Sequence, residues 1–299
     1  MATRWLDLVD PSREELLRAL PAHVDPEVVE ALASRPEEGR EPRPLLESHG
    51  SYAFGVFVAM RPRSDGLVDA QEIDLVATPE LLVTVRKTPP GGTAFDAAAL
   101  HPAHEVGAPV GILVHRLIDE VADSFLDLLD AVYADIDSLE DRIDEMNPRH
   151  VRLRLLEIRH ELLHRRRMVS ATRAAVRRVL DGRVEVGDHA LFPPEVEQLF
   201  GDTYDTLVRV TEELDIARDL LAGARDHLQA KIAETQNEVG KKLTVIASLV
   251  LVPSLIVGFY GQNFEEAFSD EYWSIGVSTS LIAISTIVQI ALFRWRRWI

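Results

Sequence analysis

The 299-residue chain has no cysteine, which excludes a disulfide framework and any thiolate metal centre. Basic residues are few: 32 Lys+Arg stand against 49 Asp+Glu, and residues 1–240 hold 27 of the former and 45 of the latter, a net of −18. A nucleic-acid binder needs a net basic face to neutralise phosphates, so that class is excluded. No P-loop pattern is present, which removes the usual signature of a nucleotide-driven pump. The opening Met1-Ala2-Thr3-Arg4-Trp5-Leu6-Asp7 lacks a basic stretch followed by an apolar run, so no signal or transit peptide is predicted.

Long uncharged runs are also missing, except in the last sixty positions. Leu243 to Tyr260 is eighteen residues and Ser274 to Phe293 is twenty. At about 1.5 Å per residue each matches the roughly 30 Å hydrocarbon thickness, so both are predicted to span a membrane. Lys241 and Lys242 precede the first span and Arg294, Arg296 and Arg297 follow the second, whereas Gly261–Trp273 between them has four acids and no base. The positive-inside bias places both termini in the cytoplasm and predicts a multi-pass protein of the cell (inner) membrane. Tyr272, Trp273, Trp295 and Trp298 fall where aromatic belts are expected.

Residues 1–108 read as a cytosolic α/β domain. Short β-rich runs at Trp5–Val9, Ala53–Met60, Glu72–Ala77 and Leu81–Arg86 alternate with Pro/Gly/Asp clusters. Asp10-Pro11 and Asp25-Pro26 each read as an N-cap followed by an N1 proline, and Pro89-Pro90-Gly91-Gly92 marks a loop. Residues 109–192 form a helical hairpin: an acidic helix from Val110 to about Asn147, broken by Asn147-Pro148, then an arginine-rich helix from Arg149 to about Leu180. Their opposite charge favours antiparallel pairing. From Pro193-Pro194 a stalk helix covers 193–242. Its apolar seam (Leu207, Val210, Leu214, Ala217, Leu221, Ala224, Leu228) steps by 3 and 4, which means self-association or packing on the hairpin. Nothing interrupts this helix before the first span at 243–260, giving roughly 65 residues or about 100 Å. An outer loop at 261–273, the second span at 274–293 and a basic tail at 294–299 complete the order.

At the outer end of the long helix stands Tyr260-Gly261-Gln262-Asn263-Phe264. With Asn237-Glu238-Val239 before the span and Leu243-Thr244-Val245-Ile246-Ala247 opening it, the sequence resembles the CorA family of divalent-cation channels, the two-transmembrane GxN family. The resemblance implies an α+β membrane protein, a funnel-shaped homopentamer with the stalk helices around the axis, and regulation by cytosolic metal between subunits. The family signature is Gly-Met-Asn; Gln262 at its middle makes this a variant, and Glu265-Glu266-Ala267 departs from the usual Met-Pro-Glu stretch. The resemblance therefore implies divalent-cation transport, with Mg²⁺ the first choice and Zn²⁺, Co²⁺ or Ni²⁺ as alternatives.

Physical chemistry gives the site residues their expected roles. Mg²⁺ sheds water reluctantly, so a ring of Asn263 carboxamides would hold the hydrated ion loosely, with Tyr260, Gly261 and Gln262 completing the filter. Gly258, Ser254, Leu251, Ala247, Leu243, Gly240 and Asn237 share one helical stripe below it, whose small residues permit close approach and whose Leu243 and Leu251 rings would gate by dewetting. Glu265 and Glu266 would concentrate cations at the mouth. Two spans cannot enclose a hydrated-ion path, so a homo-oligomer in the lipid bilayer is required, with metal ions as its other partners. Asp202 and Asp226 are candidates for cytosolic metal sensing. No enzymatic cofactor is expected. Two rival readings stay open: a non-conducting membrane sensor or adaptor with a coiled-coil stalk, and a zinc protease in which His160-Glu161-Leu162-Leu163-His164 supplies two ligands and a base, with Glu185 as third ligand.

Overall fold

A computed structural model describes residues 3–36, 42–62, 68–89, 92–94, 96–97, 107–187, 191–261 and 271–298. Five strands and six helices alternate along it: β1 (Arg4–Val9), α1 (Arg13–Ala19), α2 (Pro26–Ala33), β2 (Leu45–Ser48), β3 (Ala53–Pro62), β4 (Val68–Ala77), β5 (Leu81–Arg86), α3 (Val110–Arg142), α4 (Pro148–Leu180), α5 (Pro194–Tyr260) and α6 (Glu271–Trp295). They form two compact units, Met1–Arg225 and Asp226–Ile299.

In the first unit the sheet order is β1-β5-β4-β3-β2, with β1 parallel to β5 and the other pairs antiparallel. One face buries Phe54, Val76, Val83 and Val85 against Leu16 of α1 and Val28, Val29 and Leu32 of α2. The other face carries Phe57, Ile73, Leu75 and Leu82, all fully buried, and lies under α3. Ser124 of α3 donates nothing to that face but accepts from the Met60 N–H at 2.9 Å, and Glu120 meets Arg61 at 3.0 Å. The parallel β1/β5 edge is fixed by side chains: the Trp5 indole donates to Thr84 Oγ1 at 3.0 Å, and Thr84 donates to Asp7 at 2.8 Å.

Three local expectations change. The first helix starts at Arg13, because Ser12 and Glu15 form a reciprocal capping box; Asp10 instead takes φ 46° and accepts from the Thr88 N–H at 2.9 Å. Asp25-Pro26 does open α2, yet the Asp25 carboxylate makes no cap bond and accepts from the Tyr52 hydroxyl at 2.9 Å. β2 is a strand that four residues of sequence do not announce.

The hairpin turns at Asn147, whose side chain caps α4 by accepting from Arg149 N at 2.9 Å, with Pro148 at N1. Its arginines do not zip onto the acids of α3. Arg154 meets Asp135 at 3.0 Å across the hairpin, but Arg165 stays with Glu161 on its own helix, Arg166 reaches Asp215 of α5 and Arg178 reaches Glu47 of β2. The stalk seam, Leu207 to Ala224, is buried within this unit, and Tyr133 of α3 donates to Glu213 of α5 at 2.6 Å. α5 continues without a break for 67 residues, with Pro253 inside it. Proline removes one N–H from the ladder, so the Leu249 carbonyl loses its usual helical donor, which membrane helices tolerate.

Candidate functional site

The second unit holds the two helices long and apolar enough to cross a membrane, the C-terminal part of α5 and Ile275–Trp295 of α6. Each is shielded along one stripe only. On α5 the covered positions are Lys241, Val245, Ser248, Leu249, Val252, Pro253, Ile256 and Tyr260; on α6 they are Val277, Ser278, Ile282, Ser285, Thr286, Gln289 and Phe293. Steps of three and four make each set a single helical face. The stripe singled out in the sequence lies on the other side of α5, at about 100° of rotation per residue. Asn237, Gly240, Leu243, Ala247, Leu251, Ser254 and Gly258 are all exposed, Leu243 by 61% and Leu251 by 69%. A Cβ built on Gly240 or Gly258 would meet nothing within 4 Å.

Helical bonding runs on to Gly261, whose N–H donates to the Val257 carbonyl at 2.8 Å, and the Phe259 and Tyr260 rings meet edge to face at 5.8 Å. Gln262, Asn263, Glu265 and Glu266 lie outside the described residues. At the opposite end Lys242, Arg294, Arg296 and Arg297 are exposed and Lys241 half-buried. The chain folds back there, with Trp298 N donating to the Phe293 carbonyl at 2.9 Å and the two rings stacked at 5.8 Å.

Asp202 and Asp226 are both exposed on α5, in different units. Asp202 neighbours a network that sequence reading missed. His115 of α3 is 9% exposed, and its Nε2 lies 3.2 Å from Thr203 Oγ1, which donates to Asp119 at 2.8 Å. Burial lowers the His115 pKa, and the charges of Asp119 and Asp202 partly offset this. A second missed cluster sits under the end of α2: Lys87 is enclosed by Glu72 and Asp74. Its signal was in the sequence, since Glu72 and Asp74 alternate with apolar Ile73 and Leu75 and so must share one face of a strand. On α6, the Gln289 side-chain oxygen is buried with no hydrogen-bond partner among the described residues.

Among the described residues no group of three His, Asp or Glu side chains converges as a metal site. Glu161 is paired with Arg165 at 3.0 Å, and Glu185 contributes its backbone carbonyl to Ser48. A carboxylate held by a guanidinium is a poor general base, so the zinc-protease geometry is not assembled.

An α/β unit followed by one long helix and a second apolar helix is an architecture, and the comparisons with known proteins give it a family. The family model described as CorA-like Mg2+ transporter protein matches residues 2–297, so the chain belongs to that family of divalent-cation transporters, which are membrane proteins. The chain is similar to the cobalt/magnesium transport protein CorA of Thermotoga maritima, 22% identical over 86% of this chain and 73% of the relative. It is also similar to the putative metal ion transporter YfjQ of Bacillus subtilis, 23% identical over 99% of this chain and 88% of the relative. Its fold matches the complete structure of the CorA magnesium transporter from Methanocaldococcus jannaschii, with a TM-score of 0.78 and 18% identity, covering 99% and 91% of the two chains.

Proposed function

We propose that several copies of this chain, five by analogy with the family, assemble around the exposed stripe of α5 and conduct hydrated divalent cations. Mg²⁺ is the first choice and Co²⁺, named for the Thermotoga relative, the second, with Zn²⁺ and Ni²⁺ as alternatives. The observation that carries this reading is the division of labour around α5. One face is partly buried, and the opposite face presents two glycines, an alanine, a serine and an asparagine, which suit the close approach of identical helices. Leu243 and Leu251 then form two apolar rings, and Asn263 with Tyr260, Gly261 and Gln262 faces the outer mouth beside Glu265 and Glu266.

In this arrangement both termini are cytoplasmic, and Lys241, Lys242, Arg294, Arg296 and Arg297 ring the inner exit of a channel in the cell membrane. A potential of 100 mV, negative inside, supplies about 2.3 kcal/mol per charge, so a divalent ion enters without nucleotide hydrolysis. Asp202 and Asp226 bind internal metal and close the path as feedback.

The test is flux of Mg²⁺, Co²⁺, Zn²⁺ and Ni²⁺, each in turn, into liposomes carrying the purified chain and an internal metal-sensitive dye. Metal uptake that Asn263→Ala abolishes is expected. Assembly into an oligomer with no metal uptake from any of the four ions would identify a non-conducting sensor and refute the channel.

A further inference from the structure

The arginines of α4 are not explained by ion transport, and part of them line a cleft. Between the segment Pro42–Pro44 and α4 lies a concavity of about 550 Å³, within the range of small-molecule sites. Its polar lining is Arg43, Arg166, Arg167 and Ser170; its walls are apolar, with Leu163, Met168, Ala171 and Ala174 from α4. Among the described residues no acid lines it, in a chain whose formal net charge is −17. Arg166 is held by Asp215 at 2.9 Å, but Arg43 and Arg167 have no ion-pair partner among the described residues. Leu163, Arg167, Ser170, Ala171 and Ala174 recur at helical spacing, so small residues leave the floor open between an apolar wall and the guanidinium groups.

We infer that this cleft binds a small phosphorylated molecule with a planar, weakly polar body, a nucleoside phosphate in class. Guanidinium groups match phosphate oxygens with paired, fixed donors and also stack on planar rings, and the leucine, methionine and alanine wall gives such a body a surface to lie on. A bare phosphate would leave that wall in water, and a bilayer headgroup would leave most of the concavity unfilled. The assignment belongs to the Met1–Arg225 unit alone and stands whether or not the chain conducts ions.

The experiment is calorimetric titration of the full chain in detergent with ATP, inorganic triphosphate and adenosine, and co-flotation with phosphatidylglycerol vesicles. ATP binding below millimolar concentration is expected, with triphosphate about tenfold weaker and adenosine undetectable. Two variants act by different means: Arg43→Gln with Arg167→Gln removes the charges, and Ala171→Trp fills the floor with no change of charge. Each lowers ATP affinity about tenfold or more while elution volume and circular dichroism stay those of the parent. The inference is overturned if ATP fails to bind at millimolar concentration, if triphosphate binds as tightly as ATP, if either well-folded variant binds ATP normally, or if only vesicles are retained.

Discussion

Substituting Asp74 by asparagine should make the Met1–Arg225 unit more stable in a pH-dependent way. Lys87 is 4% exposed at its side chain and lies 2.6 Å from Glu72 and 2.7 Å from Asp74, whose side chain is 1% exposed. The ammonium also donates to the Ala31 carbonyl at 2.9 Å, near the C-terminal, negative end of α2. One cation thus serves two carboxylates in a dry site. Burial pushes the Asp74 carboxyl from its ordinary 3.8 up to about 7; the Lys87 charge opposes this and the Glu72 charge adds to it. Since the folded state binds this proton more tightly than the unfolded state, this group's contribution to stability is fully present below about pH 4 and is lost as pH rises to about 7. At roughly 1.4 kcal/mol per pH unit, the loss reaches about 4 kcal/mol as an upper figure. Asparagine cannot ionise and escapes it. Thermal unfolding of the intact chain, followed by near-ultraviolet dichroism, should find variant and parent alike near pH 4 and the variant about 10 °C more stable near pH 8. Removing the cation acts in the opposite direction: Lys87→Met strands both carboxylates and costs about 3–5 kcal/mol at pH 8. A gap between Asp74→Asn and parent that does not change with pH, or a variant less stable at pH 8, refutes the reasoning.

Three further outcomes are expected. Gly111→Ala drives a methyl group into the Leu191 backbone carbonyl, so melting should reveal a loss of about 1–3 kcal/mol. Thr203→Val removes the donor that Asp119 accepts at 2.8 Å, and chemical denaturation should register a loss of about 1–3 kcal/mol. Gly258→Leu meets no atom within a single chain, so the monomer fold should be unchanged by dichroism; cross-linked oligomers and metal flux should both fall, and full flux in this variant would remove α5 from the pore.

Much of the architecture was legible along the chain because it depends on local periodicity. Uncharged runs of eighteen and twenty residues announce membrane spans, and apolar steps of 3 and 4 announce the helix that became α5. Asn147-Pro148 and Asp25-Pro26 mark helix starts through backbone preferences that hold anywhere. The Asp10-Pro11 start was misplaced because Ser12 and Glu15, two residues on, satisfy each other's backbone partners better.

What the sequence by itself determined, then, was which segments are helical, which are apolar enough for lipid, and on which face of α5 the small residues gather. Only the tertiary structure decided partners. It sent Arg166 to α5 and Arg178 to β2 rather than to the acidic helix, paired the four residues of β2 with β3, folded Lys87 between Glu72 and Asp74, and left the side of α5 that carries Gly258 exposed. The reason is physical: periodicity acts between neighbours three or four residues apart, whereas ion pairing and burial join residues up to 131 positions apart, as in Arg178 and Glu47, and depend on the packed arrangement as a whole.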